Sequence, residues 1–89
     1  MAWKVELDPA AARELARLDP QVARRMLAFL HNRLAVLEYP RSVGEALKGS
    51  RLGEFWKYRV GDYRLVARIE DQALQILVIR IGNRREVYR

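Results

Sequence analysis

The chain reads as an α+β fold: an N-terminal strand, an antiparallel helix hairpin, then a three-strand antiparallel meander forming one small sheet. Three observations predict it. Asp8-Pro9 and Asp19-Pro20 each place an N-capping acid before a proline at the first helical position. Gly61-Asp62 separates two strand-like runs by two residues, a strong hairpin signal. From Leu74 to Ile81 the sequence is almost continuously apolar apart from Gln75 and Arg80, which fits a central, doubly buried strand.

The elements follow in order. Trp3, Val5 and Leu7 alternate with Lys4 and Glu6, so Ala2 to Leu7 reads as a strand. A first helix over 9–18 turns Ala11, Ala12, Leu15 and Leu18 toward a core. A second over 20–38 places Ala23, Met26, Leu27, Leu30, Leu34 and Leu37 at helical spacing, with Arg24, Arg25, His31 and Asn32 on its other side. It ends near Tyr39, because Pro40 disfavours helical geometry just before it. Almost no linker separates the helices, so they form an antiparallel hairpin with one shared apolar face. Arg41 to Gly53 is an irregular connection with a helical turn around Glu45–Lys48. Strands follow at 54–60, 63–70 and 74–82, in a sheet expected to be antiparallel throughout.

Composition narrows the chemistry. Fourteen of the 17 basic residues are arginine, against 11 acids, for a net charge of +6 over 89 residues. That length gives one domain, 1–89, burying only about 60–65% of its unfolded surface. The absence of cysteine excludes thiolate metal sites and cysteine nucleophiles, and the single histidine, His31, excludes a His–His acid/base pair. His31 reads as a solvated helix residue. No apolar run is long enough to span a membrane and no signal-peptide core is visible, so a cytoplasmic location is expected. No metal or other cofactor is expected.

The two-residue turn sorts the hairpin side chains. Val60 faces Tyr63, Arg59 faces Arg64, Tyr58 faces Leu65, Lys57 faces Val66 and Trp56 faces Ala67. One face then carries Trp56, Tyr58, Val60, Tyr63, Leu65, Ala67 and Ile69, a core face. The other carries Lys57, Arg59, Arg64 and Arg68 with Phe55 and Val66 between them. Like charges opposed across strands repel, so structure alone would favour a neutral or acidic partner for Arg59 or Arg64. A cluster of this kind attracts phosphates, which arginine binds through a planar two-pronged donor geometry. Arg84 and Tyr88 follow the last strand near a sheet edge.

These residues resemble those of RelE-type toxins of the RelE/ParE superfamily, the toxin half of bacterial type II toxin–antitoxin pairs. The most specific stretch is KYRVGDYRLV at 57–66, with LKG at 47–49 and RIGNRREVY at 80–88. The Lys57/Arg59 and Arg84/Tyr88 pairs favour the RNA-cleaving branch. The resemblance implies a ribosome-dependent endoribonuclease that cuts messenger RNA in the ribosomal A site through attack by the RNA's own 2′-hydroxyl. It implies a site of Lys57, Arg59, Arg64, Arg84 and Tyr88. Lys57 would act as base, its basic neighbours disfavouring its charged form. Arg59 and Arg64 would clamp the phosphate. Arg84 would serve the leaving group, and Tyr88 would stack on a base or assist proton transfer. The implied partners are a RelB-type antitoxin, in a hetero-oligomeric complex, and the ribosome with its mRNA. Arg59 stands where some relatives carry lysine, and several relatives continue beyond the position of Arg89 into a short helix, which bears on silencing by the antitoxin. A ParE-like DNA gyrase inhibitor and a non-catalytic basic RNA-binding module are the alternatives, since one fold serves all three.

Overall fold

The computed structural model describes residues 3–47 and 55–83. Strand β1 (Lys4–Leu7) leads into helices α1 (Pro9–Ala16) and α2 (Pro20–Ala28). Both acidic caps form as expected: Asp8 accepts from the Ala10 N–H at 3.1 Å and Asp19 from the Gln21 N–H at 2.9 Å. α1 is shorter than the expected 9–18, because the Arg17 and Leu18 amides turn back to the carbonyls of Glu14 and Leu15 in a tightened last turn. α2 runs on through one wide turn, Phe29–Leu34, in which the Ala35 N–H reaches the Leu30 carbonyl at 2.8 Å. The helical path therefore stops short of residue 38. The Ala35 carbonyl, which would extend it, is taken by the Trp3 N–H at 2.8 Å.

The sheet has five strands in the order β1-β5-β4-β3-β2, with β2 at Glu45–Ala46, β3 at Phe55–Val60, β4 at Tyr63–Glu70 and β5 at Gln75–Asn83. The β3–β4–β5 meander is antiparallel, as predicted. Two departures concern its flanks. β1 lies parallel to β5, Lys4 beside Gln75 through Leu7 beside Val78, so the sheet is mixed. A parallel neighbour needs a long crossover, and the chain between the two strands supplies it. The expected helical turn around Glu45–Lys48 is instead a strand at Glu45–Ala46; the helical turn falls earlier, at Pro40–Val43, where the proline ring starts it.

Every pairing of the β3–β4 hairpin matches the register read from the turn, and Gly61 sits in the left-handed region at φ 62°. The helices cover the predicted face: Met26, Leu30 and Leu34 pack with Tyr58, Leu65, Ala67 and Ile69, alongside Ile76, Val78 and Ile81. Ala11 is buried, whereas Ala12 faces solvent. β5 is not the central, doubly buried strand expected: it lies second in the strand order, between β1 and β4, and Leu77 and Ile79 are only half-buried, because helices cover one face alone. A bulge at Val66/Ala67 leaves Ile79 without an opposite residue. No helix among the described residues is long and apolar enough to cross a membrane.

Tyr58 ties the connection to the core. Its hydroxyl donates to the Pro40 carbonyl at 3.1 Å and its ring lies 6.0 Å from that of Phe29. Burial pushes its phenol up to about 12, against a smaller opposing effect of the Arg41 charge. Gly44 rests against this ring: a Cβ there would stand 2.6 Å from Tyr58 Cε1. Gly44→Ala should therefore cost about 1–3 kcal/mol, as overpacking does. Thermal melting should show it as a drop of ~4–8 °C per kcal/mol. An unchanged melting temperature would mean that the 40–46 segment does not pack on Tyr58.

Candidate active site

The hairpin turn delivers Lys57 and Arg59 on β3 and Arg64 on β4 to one face, with Arg59 and Arg64 directly opposed. A cavity of about 180 Å³ opens there, lined by these three residues together with Val43, Gly44, Glu45 and Tyr58. The Nη1 of Arg64 is buried and has no hydrogen-bond partner among the described residues. Leaving a charged donor unmatched is costly, and so is the like-charge pair across the strands. Arg59 is exposed and its Nε–H donates to the Gly61 carbonyl at 3.3 Å. An anion in the cavity, beside Arg59 and Arg64, would relieve the like-charge cost.

Arg68 does not join this group. It lies four residues along β4 from Arg64, roughly 13 Å at strand rise, and its guanidinium is 3.5 Å from Glu70. Arg84 and Tyr88 fall outside the described residues. β5 runs as far as Asn83, with Gly82 opposite Arg64.

Among the described residues, Glu45 is the charged lining residue that sequence reading missed. β2 pairs it with Lys57, and its Oε2 stands 3.6 Å from Lys57 Nζ. Two residues are too few for alternation to mark a strand, so no periodic signal pointed there. The glycine before it was the available clue, since Gly44 allows the chain to pass over Tyr58.

The segment carrying Glu45 is held from outside the pocket. Arg41 makes a two-pronged contact with Asp71, at 2.8 and 2.7 Å, and its guanidinium carbon lies 5.7 Å from the centre of the Trp56 ring. Hydrogen bonding from Arg41 holds the Asp71 carboxyl below the usual carboxylate range, and the same contact raises Arg41. On the far side of the sheet, Glu14 of α1 accepts from the Ile81 N–H at 2.9 Å and from Arg80 Nε at 3.3 Å. That closes part of the β5 edge beyond β1.

Residues 5–88, which include this cavity, match the family described as ParE toxin of type II toxin-antitoxin system, parDE. The chain belongs to the RelE/ParE superfamily. Within it the toxin is of RelE type. It is 30% identical over 89 residues to toxin RelG of Mycobacterium tuberculosis, covering 100% of this chain and 99% of that relative. It is 32% identical over 90 residues to the mRNA interferase toxin RelE of Escherichia coli, covering 99% and 92%. Among solved structures, the toxin–antitoxin complex RelBE2 from M. tuberculosis aligns with a TM-score of 0.81 at 27% identity over 94% of this chain and 93% of the other. The isolated E. coli RelE toxin aligns at 0.73 with 25% identity, over 98% and 92%.

Acid titration tests the clamp that holds this toxin's 40–46 segment. The folded-state pKa of Asp71 lies below its unfolded value, so the contribution of the pair is present above about pH 4 and is lost as pH falls through the folded value. Both side chains are substantially exposed, which limits the contribution to about 1 kcal/mol or less. In denaturant titrations between about pH 5 and 2, Asp71→Asn should show a shallower fall of stability than the parent. Identical acid slopes would show that the contact does not persist in solution.

Proposed function

We propose that this toxin is an endoribonuclease that cleaves mRNA in the ribosomal A site and so stops translation. The observation that carries the reading is the convergence of Lys57, Arg59 and Arg64 on one cavity, where the buried Nη1 of Arg64 has no hydrogen-bond partner among the described residues. A phosphodiester supplies the matching acceptor, in the charge-assisted geometry that arginine favours. The likeness to a relative named mRNA interferase supports RNA as the substrate.

The proposed site comprises Lys57, Arg59, Arg64, Arg84 and Tyr88. The 2′-oxygen attacks the adjacent phosphorus and the bond to the 5′-oxygen breaks. Arg59 and Arg64 stabilise the charge that builds on the phosphate oxygens, since guanidinium stays protonated throughout. Lys57 is cast by the family likeness as the base, Arg84 as the residue facing the leaving oxygen, and Tyr88 as a stacking platform, where each stacked base contributes about 1–3 kcal/mol. The ribosome supplies the positioning of the RNA.

The solved relatives in RelBE complexes support a RelB-type antitoxin as partner, in a hetero-oligomeric assembly. With a net charge of +6, the toxin should associate faster with an acidic partner at low salt than at high salt. Stopped-flow rates independent of ionic strength would remove the electrostatic part of this reading.

Primer extension on translating ribosomes tests the nuclease. Lys57→Ala should lower cleavage by about 10²–10⁴-fold, and Arg64→Ala by about 10²–10³-fold. The ParE description of the matched family favours gyrase as the second target to assay. Growth arrest with intact messages and gyrase-dependent DNA breaks would establish ParE-like action instead.

A further inference from the structure

Among the described residues, three of the charged side chains lining the cavity are cations; the fourth, Glu45, is an acid. An exposed ion pair contributes only about 0–1 kcal/mol, and the Glu45 side chain is 79% exposed, so stability gives little reason for it. For binding a phosphate it is a liability, since it repels the anion that Arg59 and Arg64 attract. Its chemistry differs from theirs in one decisive respect. An ammonium and a guanidinium carry donors and no acceptor, whereas an ionised carboxylate carries acceptors alone. Of these four charged groups, all among the described residues, Glu45 is the one that can take a proton without first losing one.

We infer that Glu45 is the proton acceptor of the cleavage reaction, an inference that rests on the endoribonuclease reading and reassigns one role within it. The carboxylate removes the proton of the 2′-hydroxyl. The freed electron pair forms the O2′–P bond as the P–O5′ bond breaks. The electron pair of that bond leaves on the 5′-oxygen, which takes a proton from a donor on its own side or from water. The products are a 2′,3′-cyclic phosphate and a 5′-hydroxyl, and Glu45 afterwards returns its proton to solvent. Lys57, 3.6 Å from the carboxylate, remains an ammonium that holds Glu45 beside the phosphate and shares in stabilising its charge. The pairing of Glu45 with Lys57 across β2 and β3 gives this arrangement a backbone register.

Single-turnover cleavage on mRNA-programmed ribosomes, with ribosome binding measured in parallel, tests the assignment. Glu45→Gln should slow cleavage by about 10²–10⁴-fold while binding stays equal or tightens, because a negative charge has been removed. Lys57→Arg, which keeps the charge, should lose less than Glu45→Gln. Added formate should restore part of the activity of Glu45→Ala, with chloride at equal ionic strength as the control. Glu45→Gln within threefold of the parent, or Lys57→Arg losing more than Glu45→Gln, would return the role of base to Lys57. A parent that leaves ribosome-bound mRNA intact would defeat the nuclease reading itself; a parent that cleaves beside an active Glu45→Gln defeats only this assignment.

Discussion

Arg59 faces Arg64 because two residues, Gly61 and Asp62, close the β3–β4 hairpin. Side chains alternate with a period of two, so this turn assigns every residue of both strands to a face. The same register that buries Tyr58, Leu65 and Ala67 beneath the helices drives Lys57, Arg59 and Arg64 together on the other side. A slip of one residue would bury the cations and expose the core at once. The hydrophobic packing of Met26, Leu30 and Leu34 therefore enforces a concentration of positive charge that the hairpin alone would resist.

The cavity also needs a wall, and a short strap at the sheet edge provides it. Pro40–Val43 is anchored from three directions: the Tyr58 hydroxyl on the Pro40 carbonyl, Asp71 on Arg41, and the Trp56 ring beneath the Arg41 guanidinium. These contacts come from β3 and from the turn between β4 and β5, so the strap is fastened to the same meander that presents the cations. Gly44 lets the strap lie against Tyr58. Two residues later the chain has paired with β3 just long enough to set Glu45 opposite Lys57.

What results, among the described residues, is a cavity with three cations and one carboxylate. Such a site is adequate where another body orients the reactants, because positioning supplies a large part of many rate enhancements. The RelE/ParE superfamily shows how little the fold by itself decides: function resides in the side chains grafted on it. In this chain those side chains include a buried guanidinium nitrogen, Nη1 of Arg64, with no hydrogen-bond partner among the described residues.

Local chemistry made much of this legible in advance. Asp8-Pro9, Asp19-Pro20 and Gly61-Asp62 act through hydrogen bonds and dihedral limits within a few residues, so the helix starts, the hairpin and the cationic face could all be read from neighbouring positions. The motif at 57–66 likewise pointed to the family that the comparisons bear out. Other features depend on residues far apart in the chain. The early end of the α2 path follows from Trp3 claiming the Ala35 carbonyl; the parallel place of β1 follows from its pairing with β5. Arg68 left the cationic group for Glu70. Glu45 entered the site through a two-residue strand whose partner lies twelve positions on. No propensity or periodicity within 45–46 encodes that pairing; it exists because Tyr58, Arg41 and Asp71 hold the strap where β3 can bond it.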